Sequence, residues 1–252
     1  MKIIGLIPAR KGSKRIPGKN LAFLGGITLL RRCIESAQSS DVFDEIVVSS
    51  DWDECLGVAL INGAGRCPRP PEISGDGSHD FEFVKHALDN FPGHDVFMIL
   101  RPTSPFRTGQ TIKNALASFK RWQPADSLRA VEPTTAHPGK SWRLRPGGQH
   151  IEPYLESSNA LRNKYGVPGT YDLPTQRLER VFVQNACIHI GWTANIKRFG
   201  NVTGTKVIPY FTQGDEGIDI NTPEDLQYAG WIMDQKQGPN DWRGTFGEGG
   251  HT

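Results

Sequence analysis

The chain has 252 residues, which is enough for one well-buried α/β domain with an excursion or for two small domains. Its 29 Lys and Arg against 27 Asp and Glu give a formal net charge of +2, which argues against a nucleic-acid or membrane surface. The four cysteines form no C-x-x-C pair, so reduced thiols are favoured over a zinc ribbon or a disulfide framework. No apolar run approaches the roughly 20 residues of a membrane helix, and the start lacks a signal-peptide pattern. These observations predict a soluble, cytoplasmic protein.

Apolar runs and helical periodicities alternate along the chain. A short continuous apolar run predicts a buried strand over Lys2–Ala9, and apolar residues at helical spacing predict a helix over 29–37. Glu45–Ser50 is predicted as the next strand, which completes a βαβ unit. The later predicted elements are a helix over 81–91, a strand over 96–100, a helix over 112–119, strands over 186–192 and 206–210, and a last helix with Thr222 as N-cap and Pro223 in its first turn.

This alternation predicts an α/β fold with a Rossmann-like, mostly parallel sheet and helices on both faces. Between residues 137 and 175 the pattern breaks, because Gly, Pro, Arg and Asn dominate and the apolar residues are isolated. We therefore expect one domain over 1–237 that contains 137–175 as a small excursion subdomain. Residues 238–252 are Gly-rich and aperiodic and are predicted to form a flexible tail.

A cationic loop follows the first predicted strand. Residues 1–34 contain eight Lys or Arg and no Asp or Glu, and five of these cations fall within residues 10–19. Gly12 and Gly18 let the backbone approach a ligand closely, while Arg10, Lys14 and Lys19 can neutralise a triphosphate and the charge that builds on a leaving pyrophosphate. The loop lacks the Walker A pattern, which argues against a kinase or ATPase. A solvated basic loop is the alternative.

The loop sequence, PARKGSKRIPGKN, resembles the signature loop of the acylneuraminate cytidylyltransferases, the CMP-sialic acid synthetases and their relatives. The resemblance extends over roughly residues 1–235 through further segments in the same order: IVVSSD at 46–51, RPPEISGDGS at 69–78, LRPTSPFR at 100–107, HPGK at 137–140, VQNACIHI at 183–190 and GIDINTPEDL at 217–226. It implies a Rossmann-like nucleotidyltransferase that transfers CMP from CTP to an acidic, sialic-acid-like sugar and releases pyrophosphate. It also implies a homodimer, with the excursion reaching a second subunit.

The resemblance assigns roles to individual residues. Arg10, Lys14 and Lys19 are the expected catalytic cations at the phosphates. The remaining residues expected to bind the nucleotide are Ala9, Gly12, Ser13, Asn20, Arg69 and Ser78.

A magnesium ion is expected because nucleotidyl transfer needs a hard cation that bridges phosphate oxygens. Asp219 fits the ligand role, and alternation on a strand end would turn Asp219 and Asn221 to the same side. The family usually has a second Asp where this chain has Asn221, whose amide still offers a carbonyl oxygen. Asp51 is a weaker candidate.

The acceptor side departs from the family pattern. Arg101 stands where sialic-acid-activating members commonly carry Gln, and Val183 replaces an Arg. Lys140, Gln176, Asn185 and Arg101 are expected to contact the acceptor, since cations form charge-assisted bonds to its anionic group. The lone His137 and His189 are interpreted as packing residues.

Three functions remain open on the sequence. The first is CMP transfer from CTP to an acidic sugar. The second keeps the fold but uses GTP or another NTP with a sugar 1-phosphate, because the Arg-Pro-Thr form and Trp142 also resemble a subgroup that activates other sugars. The third is a non-catalytic nucleotide-binding protein, which Asn221 and Val183 motivate. A nucleic-acid-binding module is disfavoured, because the cations are concentrated in one glycine loop rather than interleaved with aromatic residues.

Overall fold

The computed structural model of the chain describes residues 1–155 and 169–237. The strands are β1 (Ile3–Pro8), β2 (Phe23–Leu24), β3 (Ile27–Thr28), β4 (Glu45–Ser50), β5 (Gly65–Pro68), β6 (Val96–Ile99), β7 (Ser127–Pro133), β8 (Trp142–Leu144), β9 (Ile151–Pro153), β10 (Phe182–Trp192) and β11 (Val207–Phe211). The α-helices are α1 (Leu29–Ser39), α2 (Asp53–Ile61), α3 (Asp80–Asn90), α4 (Gly109–Arg121), α5 (Ala194–Phe199) and α6 (Pro223–Gln237). Short 3-10 helices cover Lys19–Leu21, Pro71–Ile73, Pro138–Lys140, Thr170–Asp172, Thr175–Arg177 and Gly214–Gly217.

A seven-stranded sheet with the order β11-β7-β10-β6-β1-β4-β5 forms the centre of the fold. Strand β1 is parallel to both β4 and β6, and β4 is parallel to β5. Strand β10 runs antiparallel to β6, with His189 opposite Ile99. The sheet is therefore mixed but mostly parallel on its β1 side, which places the carboxyl ends of β1, β4 and β6 on one edge.

Two apolar cores cover the two faces of this sheet. One contains the inward residues of α1, α2 and α4, such as Leu30, Cys55 and Phe119. The other contains those of α3, including Phe83 and Val84, together with Phe97 of β6. Burial of one such large side chain contributes roughly 1.5–3 kcal/mol. Helices on both faces confirm the predicted α/β, Rossmann-like class.

Most predicted elements are confirmed, with shifted ends. Glu45–Ser50 is a strand at the predicted limits, and β1 and β6 are each slightly shorter than predicted. Strand β11 lies one residue later than predicted. Strand β10 begins four residues before the predicted 186, because its first residues are exposed and carry no apolar run.

The described residues fall into two compact units, one made of Met1–Ala130 with the residues from Asn185 on, the other of residues within Val131–Gln184. The predicted excursion, 137–175, lies inside the second unit. That unit is not without regular structure, because β8 and β9 pair antiparallel, with Trp142 opposite Pro153. The predicted tail, 238–252, lies outside the described residues. Among the helices of the described part, none combines the length and the apolar character needed to cross a bilayer.

Candidate active site

The cationic loop lies at the carboxyl end of β1, where its geometry is held by a few hydrogen bonds. Gly18 adopts a left-handed backbone with φ of 66°, immediately before the Lys19–Leu21 3-10 helix. A side chain there would be strained, and its Cβ would lie 3.4 Å from the Trp52 ring. Asn20 is buried, and its amide Nδ2 donates to the carbonyl of Arg10 at 3.0 Å, which closes the loop. The backbone of the loop is thus held in a defined turn, while the side chains of Lys11, Lys14 and Arg15 remain exposed.

Two neighbouring cavities open on this loop. The larger, of about 460 Å³, is lined by Gly12, Ser13 and the residues 74–76, with the Trp52 ring on its wall. The smaller, of about 290 Å³, is lined by the cations Arg15 and Lys19 together with Asn221. The predicted residues common to both cavities are Arg10, Ser13 and Lys14. The structure therefore brings the predicted phosphate-binding residues together around one concave surface.

An aspartate neutralises part of this surface. Asp76 Oδ1 accepts a hydrogen bond from Arg10 Nη1 at 2.7 Å, and its Oδ2 lies 2.6 Å from Lys14 Nζ. The hydrogen bonds from Lys14 and Arg10 lower the pKa of the Asp76 carboxyl below its usual value. Asp76 stands inside the RPPEISGDGS segment, and only the fold brings it to the loop cations. Any phosphate that binds Arg10 and Lys14 has to compete with this carboxylate.

Lys19 and Asp219 meet on the other side of the loop. Lys19 Nζ donates to the carbonyl of Ile220 at 2.9 Å. Partial burial lowers the pKa of Lys19, an effect that Asp219 opposes and that Arg15 and Arg10 reinforce. The segment 218–221 was predicted as a strand end, but it is a loop between the 3-10 helix Gly214–Gly217 and α6. The backbone amides of Asn221 and Thr222 both donate to Asp225 Oδ2 in the first turn of α6, which makes this segment the start of that helix rather than part of a strand.

Asp219 and Asn221 do share one side of this loop. Asn221 Nδ2 donates to Asp219 Oδ2 at 2.7 Å. Asp219 Oδ1 is buried and has no hydrogen-bond partner among the described residues. A buried carboxylate oxygen without a partner is costly unless a cation or donor completes it, so these residues fit a hard cation such as Mg²⁺. No group of three or more His, Cys, Asp or Glu side chains that could hold a metal ion occurs among the described residues, so a cation at Asp219 would take most of its ligands from phosphate and water.

Asp51, the weaker metal candidate, contacts the loop, and its role as a metal ligand stays a prediction. Its Oδ1 accepts a hydrogen bond from the Lys11 backbone at 2.8 Å.

Three predicted nucleotide-binding residues, Arg69, Ala9 and Ser78, are not among the residues that line the two cavities. Arg69 is buried, donates from Nε to Ser49 Oγ at 3.0 Å and lies with its guanidinium 4.9 Å from the Phe83 ring centroid. Burial lowers the pKa of Arg69 to about 10. Ala9 is fully buried, and its amide donates to the carbonyl of Ser49. Ser78 is half-buried, and its amide donates to the carbonyl of Gly75 at 3.2 Å.

The acceptor candidates are divided between the two compact units. Arg101 Nη2 donates to both carboxylate oxygens of Asp80, at 2.8 and 2.6 Å. Asn185 Nδ2 donates to Thr212 Oγ1 at 3.0 Å. In the second unit, Lys140 Nζ donates to the carbonyl of Tyr171 at 2.7 Å, and Gln176 is exposed on the Thr175–Arg177 helix. Their contacts with an acceptor stay predictions.

The four cysteines, Cys33, Cys55, Cys67 and Cys187, are all free and buried, as the sequence predicted. Burial raises the pKa of Cys187 to about 12 and that of Cys55 to about 11. Because the thiolate is the reactive form, these are packing residues and not nucleophiles.

A cationic cavity at the carboxyl end of the first strand of a Rossmann-like sheet defines the class as a nucleotidyltransferase fold. Two solved structures show the same fold. The structure of CMP:2-keto-3-deoxy-manno-octonic acid synthetase complexed with CTP matches with a TM-score of 0.66 at 13% identity, covering 94% of this chain and 100% of that one. A cytidylyltransferase from Leptospira borgpetersenii matches with a TM-score of 0.57 at 16% identity, covering 91% and 85%. At such identities the likeness concerns the fold alone.

The chain belongs to the cytidylyltransferase family, whose model matches residues 4–138. It is 36% identical over 244 residues to the CMP-N,N'-diacetyllegionaminic acid synthase of Legionella pneumophila, covering 94% of this chain and 98% of that relative. It is 28% identical to the N-acylneuraminate cytidylyltransferase of Escherichia coli O18:K1:H7 over 93% of this chain, but spans only 53% of that relative's length. The chain thus spans about half the length of some curated relatives that it matches. The family resemblance inferred from the loop is confirmed.

Proposed function

We propose that this chain transfers CMP from CTP to the anomeric hydroxyl of an acidic nonulosonic sugar and releases pyrophosphate. The observation that carries the proposal is the convergence of Arg10, Lys14 and Lys19 on one concave surface beside Asp219. The names of the relatives supply the substrate class: they act in the synthesis of CMP-linked N-acylneuraminic and legionaminic acids.

The reaction is a displacement at the α-phosphorus of CTP. The anomeric oxygen of the acceptor forms the new P–O bond, the bond to the β-phosphate oxygen breaks, and the hydroxyl proton leaves to solvent or a nearby base. Arg10, Lys14 and Lys19 bind the phosphates and stabilise the charge that grows on the departing pyrophosphate, while Gly12 leaves room for the pyrophosphate oxygens beside the loop backbone. No covalent enzyme intermediate is required.

Asp219 would hold the magnesium ion through its partner-free Oδ1, and Asn221 would orient Asp219 through the bond to Oδ2. When bound, Mg²⁺ supplies charge neutralisation at the phosphate oxygens. Asn221→Asp replaces the orienting amide by a second carboxylate. We expect it to tighten metal binding about tenfold, because two adjacent carboxylates attract a divalent ion more strongly than one. Electron paramagnetic resonance of free Mn²⁺ titrated with protein measures this without turnover, and unchanged affinity would put Asn221 outside the metal shell.

Pyrophosphate release tests the function. CTP, GTP, UTP and ATP are each combined with Mg²⁺ and a panel of acceptors: N-acetylneuraminic acid, N,N'-diacetyllegionaminic acid, pseudaminic acid, 2-keto-3-deoxy-manno-octonic acid and common sugar 1-phosphates. Release with CTP and one of the acids supports the proposal. Release only with GTP and a sugar 1-phosphate would replace it by the alternative nucleotidyltransferase. NTP binding with no release from any pair would favour a non-catalytic nucleotide-binding protein.

We further propose a cytoplasmic homodimer that associates through the second unit. This unit exposes large apolar side chains, namely Trp142, Leu144, Ile151, Tyr154 and Leu155, each at least 42% accessible. Exposed apolar groups of this density commonly mark an interface. Light scattering after size exclusion should give a dimer mass, and Leu144→Glu should lower it toward the monomer. A monomer mass for the parent chain at micromolar concentration would refute this assembly.

A further inference from the structure

A second group of basic side chains, two arginines and a histidine, lies on the sheet, away from the phosphate loop. It consists of Arg129 on β7, His189 on β10 and Arg101 just after β6. These three strands are neighbours in the sheet. Strand alternation turns the three side chains to one face, because Leu128, Ala130, Ile188 and Ile190 belong to the core on the opposite face.

Positive charge in this group exceeds negative charge. Arg101 and Asp80 form a close ion pair of 2.6 Å. Arg129 Nη2 donates to Thr203 Oγ1 at 2.9 Å, and no carboxylate of the described residues lies within salt-bridge distance of it. Two positively charged guanidinium groups therefore lie near a single negative charge, that of Asp80. Burial lowers the pKa of Arg129, Asp80 opposes this shift, and Arg101 adds to it.

His189 completes the group with neutral hydrogen-bonding nitrogens. It is buried, its ring lies edge-on to Phe97 at 5.8 Å, and neither ring nitrogen makes a hydrogen bond within 3.5 Å to the described residues. Burial, followed by the charges of Arg129 and Arg101, lowers the pKa of His189 to about 3. The histidine is thus uncharged at neutral pH, and both of its ring nitrogens are buried, with the Val202 backbone beside the ring.

Arg69, which is predicted to bind the nucleotide, lies close enough to sense the charges of both Arg10 on the loop and Asp80 beside Arg101. A ligand bound at Arg129 and Arg101 would lie along the same edge of the sheet as the triphosphate.

We propose that Arg129 and Arg101 together bind the carboxylate of the acceptor sugar, with Asp80 fixing the Arg101 guanidinium. The inference rests on the proposed function, because it assumes an acidic acceptor. It assigns this chain a carboxylate site on the sheet, whereas the family pattern has an arginine at the position of Val183. Two guanidinium forks match the two oxygens of a carboxylate, and such charge-assisted bonds select an acid over a neutral sugar.

Steady-state kinetics of Arg129→Gln test the proposal, with the acid that the parent chain uses fastest and its methyl ester as paired acceptors. We expect the KM for the acid to rise roughly 10- to 100-fold, since a hydrogen bond to a charged group contributes about 1.5–3 kcal/mol. The KM for CTP should stay within about twofold, because Arg129 contacts no predicted nucleotide residue. The preference of the parent chain for the acid over the ester should largely disappear, which a merely structural role would not produce.

Two further variants make the result unambiguous. Arg66→Gln removes an exposed arginine from β5 and should leave both KM values unchanged. If Arg129→Gln does not fold, Arg129→Lys keeps the charge and should give an intermediate KM with reduced acid preference.

Turnover of the acid with an unchanged KM and unchanged acid preference in the Arg129 variants would overturn this inference alone. If the parent chain releases pyrophosphate with none of the acids, the proposed function fails, and this inference fails with it.

Discussion

A Lys19 variant should separate catalysis from stability, because we expect a large loss of turnover and only a small loss in the free energy of unfolding. Replacement by Met keeps most of the length of the side chain and removes its charge. The bond from Lys19 Nζ to the Ile220 carbonyl disappears, and Asp219 loses a favourable interaction with a cation. If Lys19 stabilises the departing pyrophosphate, turnover has to fall much more than stability.

The two magnitudes follow from the structure. A hydrogen bond to a charged group contributes about 1.5–3 kcal/mol, and because Lys19 is only about half-buried, we expect about 1 kcal/mol in the free energy of unfolding. This corresponds to a fall in Tm of about 2–4 °C for a chain of this size. Loss of one donor to developing transition-state charge lowers kcat by about 100- to 1000-fold.

The pH dependence provides an independent signal. Because burial lowers the pKa of Lys19, the lysine loses its proton below the ordinary value of 10.5. Above its folded-state pKa the unfolded chain binds more protons than the folded chain, so the contribution of this group to stability rises with pH while activity falls. The basic limb of kcat/KM should therefore begin below pH 10.5 in the parent chain and move upward in Lys19→Arg.

Pyrophosphate release and thermal unfolding are measured on the same preparations, with Lys113→Met on the exposed face of α4 as the matched control. Near-normal kcat in Lys19→Met would remove Lys19 from the mechanism. A fall in Tm above 10 °C would mean that Lys19 acts through the fold.

Three other substitutions test ligand affinity, the pH dependence of stability and steric packing. Asp76→Asn should raise the affinity for CTP about threefold in calorimetry, because the carboxylate that competes for the loop cations is removed, and weaker binding would show that Asp76 helps the ligand. In the parent chain the unfolding free energy should fall between pH 6.5 and pH 3, because His189 binds a proton in the unfolded chain but stays neutral when buried. His189→Phe should make this fall smaller, and urea unfolding curves at several pH values measure it. Gly109→Ala should lower stability by about 1–3 kcal/mol, because its Cβ would lie 2.6 Å from Ser39 Oγ, whereas Gly57→Ala on α2 meets nothing within 4 Å and should stabilise by about 0.5–1 kcal/mol; equal Tm values would refute the steric argument.

The elements that the sequence predicts are those whose burial leaves a regular apolar pattern. Strand Glu45–Ser50 is buried along most of its length and reads as a continuous run. Helix α2 was missed because DECLGVALI is apolar around most of its circumference and shows no period of 3.6. Strand β5 was missed because its four residues include Gly65 and Pro68, which are typical of turns.

The candidate site divides in the same way. Arg10, Lys14 and Lys19 could be predicted because their charges and the intervening glycines lie in one short segment. Arg129 could not, because its relation to Arg101 depends on which strands become neighbours, and no spacing along the chain encodes that. Sequence reasoning therefore finds sites carried by one loop and misses sites assembled across a sheet.

The charges of the site are largely paired before any ligand arrives. Arg10 and Lys14 share Asp76, and Arg101 pairs with Asp80. Binding of an anion at these positions is consequently an exchange of one carboxylate for another anionic group rather than the filling of a bare cationic surface. Such an exchange contributes less affinity than the number of cations suggests, but it rejects neutral ligands, which cannot replace the aspartates. Specificity for anionic substrates then comes from the aspartates as much as from the arginines and lysines that they hold.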